Sequence, residues 1–190
     1  MNLIEEIFIN LNKVFDLITT LINRIRFKKF GIKSIIRYGC IINNPKLIEI
    51  EENVHIDSHV WLNAQDVSKN GSSKLIIKKG SRIGRFCHIN AFKKVIIEED
   101  VLVAENVYLG DTDHKTSSKD VPIIKQGNEI KGEVIIKKGS FICKNAIINA
   151  GTTVGENSVI APNAFVIQKN IPPYSFVFGN PSKILKRNIK

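Results

Sequence analysis

The sequence predicts an all-β fold, a parallel β-helix of triangular coils built from six-residue turns, entered through one amphipathic helix. Two observations carry the coil. Between Ile136 and Val166 a large aliphatic residue returns every six positions, at Ile136, Ile142, Ile148, Val154, Ile160 and Val166. A small residue holds the fifth place of each hexad, at Ser140, Ala146, Thr152, Ser158 and Ala164. The same template also fits in three earlier phases. These are Ile50, Ile56 and Leu62 with Val54 and Val60; Ile77, Ile83 and Ile89 with Ser81 and Cys87; and Ile97, Val103 and Leu109 with Val101 and Val107.

A period of six matches neither a helix face nor a flat strand alternation. It matches short strands joined by tight corners and wound so that equivalent positions stack coil on coil. Asn145, Asn157 and Asn163, three residues beyond an aliphatic position, suit corners that need unusual backbone angles. Three hexads make one triangular coil, so the phases predict about five coils. Breaks in phase at 66–74, 91–95 and 115–133 predict loops pushed out of the coil.

Taken from the start, a chain of 190 residues with 43% hydrophobic content can form one domain with a core. Residues 3–29 place Ile4, Ile7, Phe8, Leu11, Val14, Phe15, Ile18, Leu21, Ile22 and Ile25 at spacings of three and four, which predicts an amphipathic helix. Its apolar stripe is expected to cover the open end of the coil or to pack on partner subunits. The basic cluster Arg24, Arg26, Lys28 and Lys29 also suits a peripheral contact with a membrane surface. Nothing at the N-terminus reads as a signal peptide, and the apolar runs are too short to span a bilayer.

Basic residues exceed acidic ones by 28 − 18 = 10, which favours anionic partners. The lysines are scattered and accompany no nucleic-acid-binding motif, so nucleic acid is not an expected partner. Cys40, Cys87 and Cys143 lack metal-knuckle spacing and read as thiols of a reducing compartment. The chain is therefore expected in the cytoplasm or at the inner face of the membrane.

The repeats and the long interruption after Leu109 resemble the hexapeptide-repeat acyltransferases, in layout the galactoside and maltose acetyltransferases and the O-acetyltransferases of bacterial polysaccharide synthesis. The resemblance covers residues 45–187. It implies a left-handed parallel β-helix, the opposite of the usual crossover hand. It also implies an N-terminal helical region and lead-in at 1–44, a β-helix domain at 45–171 with the loop 115–133, and a C-terminal segment at 172–190 with a short helix opened by Pro181. Acetyl-coenzyme A would be the co-substrate, with no metal required, and a carbohydrate the acceptor. The expected assembly is a homotrimer with coenzyme A in the grooves between subunits.

Chemistry is expected where the coil is interrupted, because loops on a rigid scaffold carry function. Leu109-Gly110-Asp111-Thr112-Asp113-His114 ends a regular phase and opens the polar loop. In the resembling enzymes a histidine at this junction acts as general base, which points to His114. A sugar hydroxyl is a poor nucleophile at neutral pH, and an imidazole titrating near ~6.5 can accept its proton during attack. Asn90 corresponds to an asparagine that holds the acceptor in the galactoside-type enzymes. Asp111 and Asp113 can orient the ring or bind a hydroxyl, or instead stabilise the turn through local backbone bonds.

On the donor side, Ile171-Pro172-Pro173-Tyr174 through Lys183 resembles the family's closing segment. Contacts carried over from the family fall on Lys144, Pro162, Lys169, Lys183 and Lys186, and Arg187 flanks them as a further partner for anionic phosphates. The resemblance implies O-acetylation of a sugar or surface-glycan hydroxyl. Two other classes remain open: N-acetylation of an amino sugar on a nucleotide, and a non-catalytic or metal-dependent β-helix module. The latter is weighed against by four dispersed histidines.

Overall fold

A computed structural model of the chain describes residues 3–67, 69–72 and 74–186. After a helix, α1 (Leu3–Arg26), the chain winds as a left-handed β-helix with three flat faces. Face A has seven strands, face B eight and face C six, each running through successive coils. Neighbouring strands are parallel throughout the coil, so every coil repeats the course of the one before.

The six-residue period translates directly into packing. On face A, Ile50 pairs with Ile77, Ile77 with Ile97, Ile97 with Ile136, Ile136 with Val154 and Val154 with Ile171. All six are buried, as are the aliphatic positions of the other two faces except Ile42 of the first coil, which is half-buried. Burying each such side chain contributes on the order of 1.5–3 kcal/mol, and the stack makes those contributions continuous along the axis. Small residues at the fifth position leave room at each corner and satisfy the polar backbone there. Ser81 Oγ donates to Glu98 O at 2.6 Å, Ser140 Oγ to Gly155 O at 2.9 Å and Ser158 Oγ to Pro172 O at 3.1 Å.

The asparagine corners form as the spacing predicts. Asn145, Asn157 and Asn163 have φ of 61°, 52° and 58°, the left-handed region that asparagine tolerates better than most residues. They also bond along the axis, Asn106 Nδ2 to Asn145 Oδ1 at 2.9 Å and Asn145 Nδ2 to Asn163 Oδ1 at 3.1 Å. Each corner therefore supports the next.

The coil is longer than expected at both ends. It begins at Lys29, ahead of the boundary at 45, because Lys29–Phe30, Ile35–Ile36 and Ile41–Asn43 already pair with the following coil. The signal is present in the sequence: Phe30, Ile36 and Ile42 are six apart, with Ser34 and Cys40 in the small positions. The faces hold six full coils and a partial seventh rather than five.

At the C-terminal end no helix follows Pro181 within the described residues. Lys183–Lys186 is instead a strand running antiparallel to Ser175–Phe178. The last coil would otherwise leave a row of unpaired N–H and C=O groups, which the returning strand satisfies. Ser182 anchors that return through Oγ to Gln168 Oε1 at 2.6 Å, and Gln168 Nε2 donates back to Ser182 O at 2.6 Å.

The N-terminal helix forms as the spacing predicts but is turned the other way. Its polar side docks on the first coil: Thr20 Oγ1 accepts Ile36 N–H at 3.1 Å and sits 3.2 Å from Ile36 O, while Asp16 Oδ1 accepts Tyr38 N–H at 2.8 Å. Thr20 and Asn23 are buried there, and the whole stripe from Ile4 to Ile25 is exposed. The stripe does not cover the end of the coil. The helix docks through polar side chains because those side chains supply partners for backbone groups at the unpaired edge of the first coil.

Candidate functional site

The regular coil breaks after face C strand Tyr108–Gly110, and the side chain that turns the break is Asp111. Its Oδ2 accepts the backbone N–H groups of Lys93 and Lys94 at 2.7 and 2.6 Å, and its Oδ1 that of Phe92 at 2.8 Å. These are the three residues of the tight 91–95 interruption one coil earlier. Asp111 has 0% exposure, and burial raises its carboxyl above the usual value despite the three donors. The expectation that Asp111 meets substrate is corrected here, because both of its oxygens are committed to the 92–94 turn.

Past Asp111, Thr112–His114 runs antiparallel to Asn128–Ile130, forming a hairpin that projects from the coil. The excursion between its strands is ordered by its own bonds. A one-turn helix, α2 (Ile123–Gln126), places Gln126 Nε2 against Val121 O at 2.6 Å and Ser118 O at 3.0 Å, and Gln126 Oε1 accepts Ser118 N–H at 3.0 Å. His114 pairs with Asn128 at the outer end of the hairpin and is exposed. Asp113 Oδ1 accepts the His114 backbone N–H at 2.8 Å and its Oδ2 lies 3.4 Å from Lys131 Nζ. Neither aspartate is bonded to the imidazole.

Beside this hairpin lies a cleft of about 470 Å³. Thr112, Asp113 and Lys131 form one wall, and Ile147, Asn149, Ala150, Ile167 and Lys169 of the next two coils form the other. Tyr108 and Gly110 close it on the N-terminal side. A Cβ on Gly110 would overlap the Tyr108 hydroxyl and stand 2.8 Å from its Cζ, so the bare glycine lets the phenol lie flat over the strand.

Asn90 pairs with Gly110 one coil earlier, on the far side of Tyr108. It belongs to an amide ladder: Asn43 Nδ2 donates to Asn63 Oδ1 at 3.3 Å, Asn63 Nδ2 to Asn90 Oδ1 at 2.9 Å, and Asn90 Nδ2 to the Tyr108 hydroxyl at 3.4 Å. His88 Nε2 is 3.0 Å from the same Asn90 Oδ1, so Nε2 carries the proton when His88 is neutral. The ring stacks on Trp61 at 4.2 Å with an interplanar angle of 2°. Burial holds the His88 pKa below the ordinary histidine value, partly offset by the bond to Asn90.

The structure therefore gathers Asp113 and Lys169 at one cleft with His114 on its hairpin, and sets Asn90 behind Tyr108. It does not bring the remaining expected residues there. Lys144 and Pro162 hold equivalent places in successive coils at the corner between faces B and C, where Asn163 N–H bonds Lys144 O at 3.2 Å. Lys183 and Lys186 lie on the terminal strand of face B. Arg187 lies outside the described residues. Tyr108, Lys131, Asn149 and Ala150 were not expected, because the long insertion hides from the sequence which turns become neighbours.

The other histidines are scattered. His55 lies on face B and its pKa is lowered by burial, then by Arg82 and Arg37. His59 sits at a corner with its ring 5.3 Å from that of Phe86. Among the described residues no three His, Cys, Asp or Glu side chains are grouped as metal ligands. A larger cleft, about 650 Å³, separates α1 from face B and contains none of the expected site residues.

The chain is thus a triangular coil of six-residue repeats with one ordered hairpin thrown out beside a cleft. Residues 133–168 match the model of the bacterial transferase hexapeptide (six repeats). No curated protein sequence matches the chain. Among solved structures, the chain is similar to AntD, an N-acyltransferase from Bacillus cereus in complex with dTDP and 3-hydroxybutyryl-CoA. That likeness is 19% in identity, covers 88% of this chain and 87% of that one, and has a TM-score of 0.73. A point mutant of AntD with dTDP-4-amino-4,6-dideoxyglucose and coenzyme A matches at 18% identity over 90% and 89% of the two chains, with a TM-score of 0.75. The hexapeptide-repeat acetyltransferase VCA0836 from Vibrio cholerae O1 biovar eltor, complexed with acetyl coenzyme A, matches at 22% identity over 88% and 75%, with a TM-score of 0.52. At these identities the likeness is one of fold.

Proposed function

We propose that the chain is an acetyl-coenzyme A-dependent O-acetyltransferase that acts on a hydroxyl of a sugar or surface glycan, with His114 as general base. The observation that carries this reading is the hairpin, whose Thr112 and Asp113 line the 470 Å³ cleft and whose next residue, His114, is exposed at the hairpin's outer end just beyond that lining. The His114 imidazole takes the proton as the acceptor oxygen attacks the thioester carbonyl. The tetrahedral intermediate then collapses, the C–S bond breaks, and the proton passes from the imidazolium to the departing coenzyme A sulfur. The developing oxyanion needs a fixed donor. Ala150 N–H is our candidate, since it lies in the cleft wall and makes no hydrogen bond among the described residues. Asp113 and Asn90 would hold the acceptor, and Lys169 would meet the anionic part of the donor.

Lys144, Pro162, Lys183 and Lys186 lie away from this cleft. In a homotrimer with shared sites they would serve the donor bound against a neighbouring copy, and that is the assembly we propose. We propose the cytoplasmic side for this reaction, as a compartment that supplies acetyl-coenzyme A and keeps thiols such as Cys40, Cys87 and Cys143 reduced. A second reading, acyl transfer to an amino sugar carried by a nucleotide, is favoured by the similarity to AntD. Release of free coenzyme A from acetyl-coenzyme A, measured with a panel of acceptors, separates the two. Release with hydroxyl sugars or glycans supports O-transfer, and release only with amino-sugar nucleotides overturns it. No release with any acceptor counts against both.

A further inference from the structure

Apart from Phe15, whose ring lies 5.4 Å from that of Tyr38, the outward face of α1 is left uncovered among the described residues, although it carries a continuous stripe of large apolar side chains. Ten side chains from Ile4 to Ile25, each 46–80% exposed, line it over a helix of 24 residues. They amount to roughly 1,000 Å², more than the ~800 Å² each partner buries in an interface of standard size and beyond the ~300–600 Å² of the largest patch on an ordinary monomer. Because the polar side is already bonded to Ile36 and Tyr38, rotating the helix to hide the stripe would break those bonds. The stripe needs an occupant from outside the chain.

The spacing identifies that occupant. Phe8, Phe15 and Ile22 are separated by seven, and Ile4, Leu11, Ile18 and Ile25 form a second set of sevens interleaved at four and three. In heptad terms the first set occupies a and the second d, with Ile7, Val14 and Leu21 beside them at g. Three of the four d residues are isoleucine, and β-branched side chains at d disfavour two-stranded packing and favour three strands or more. Within α1, Lys13, Arg24 and Arg26 are balanced by Glu5, Glu6 and Asp16. An interfacial lipid-binding helix draws instead on a polar face rich in lysine and arginine facing water.

We infer that α1 packs, through its outward stripe, against the α1 of two further copies of this chain in a parallel three-helix bundle. The contact stands whether or not the chain transfers acyl groups, so failure of one reading leaves the other open. The full chain is examined by sedimentation velocity beside a Phe8→Asp/Phe15→Asp double variant, with circular dichroism showing that the coil is retained. The expected result is a trimer for the parent chain and an assembly at least tenfold weaker for the variant. In parallel, Leu11→Cys in an otherwise unchanged chain should give an interchain disulfide under mild oxidation, as parallel d positions approach each other. A monomeric parent, an unchanged mass in the double variant, or no Leu11→Cys cross-link overturns the inference. So does loss, in the variant, of binding to phosphatidylglycerol vesicles with the mass unaltered, which would assign the stripe to lipid.

Discussion

The carboxylate of Asp111 accepts the backbone N–H of Lys94 at 2.6 Å from a position with no exposed surface. It ties the start of the hairpin to the turn one coil earlier, so a single side chain fixes both interruptions on this side of the molecule. Replacing Asp111 with Ala removes the acceptor of three N–H groups in the part-buried 92–94 turn and should cost about 1–3 kcal/mol. Urea unfolding of the two proteins measures it. A midpoint equal to that of the parent would mean that the turn holds without the carboxylate.

His114→Ala should leave the unfolding free energy within about 0.5 kcal/mol of the parent, because the side chain is exposed and makes no hydrogen bond among the described residues. Acyl transfer should fall by roughly 10²–10⁴, the range a general base contributes. Retention of full transfer at saturating acetyl-coenzyme A removes His114 from the mechanism.

Lys169→Ala should raise the KM for acetyl-coenzyme A several-fold and leave kcat close to the parent value, as expected for a group that binds the donor outside the reacting centre. If sites are shared, trimers mixed from His114→Ala chains and Lys183→Ala/Lys186→Ala chains should regain activity that neither homotrimer has. Absence of any regain counts against the shared site.

Gly110→Ala tests the close approach of Tyr108. The clash is with the far end of a flexible side chain, so the phenol can swing away with a stability change under about 1 kcal/mol. The cleft then changes shape, and acceptor KM should rise with little loss of folding. Coincident losses in unfolding midpoint and activity would show that Tyr108 has nowhere to go.

His88 makes stability depend on pH. Burial lowers its folded pKa from the ordinary 6.5, so in the window just below 6.5 the unfolded chain binds the proton more readily than the folded one. The stability gained from keeping His88 neutral is present above pH 6.5 and is lost as pH falls toward its folded pKa; His55, shifted the same way, adds to the effect. Thermal melts at pH 7.5 and 5.5 should show a drop at the lower pH that is smaller in His88→Gln. An equal drop in both proteins would assign the acid sensitivity elsewhere.

Much of this molecule is legible from spacing alone. Hexads such as Ile77, Ile83 and Ile89 could be placed in the core without a structure, because in a coil of parallel strands one position in six always points inward and the next coil repeats it in register. The left-handed corners at Asn145, Asn157 and Asn163 follow the same rule. His114 stood out because the period fails beside it. Asp111 and Asp113 read alike in the sequence, as residues that could orient the ring, bind a hydroxyl or stabilise the turn; in the structure Asp113 stands exposed on the hairpin, whereas Asp111, two residues away, is turned inward.

What the one-dimensional pattern determined, then, is the coil: its period, its core and the place where it breaks. Only the tertiary structure decided which residues meet across that break. Tyr108, Lys131, Ala150 and Lys169 come from three successive coils and the returning hairpin, and their meeting depends on how the 115–133 excursion folds back. It likewise decided that α1 shows its apolar side to the outside. Amphipathic spacing sorts side chains onto two faces but does not say which one docks. Here the unpaired edge of the first coil offered backbone hydrogen-bonding groups, which the polar face could satisfy and the apolar face could not.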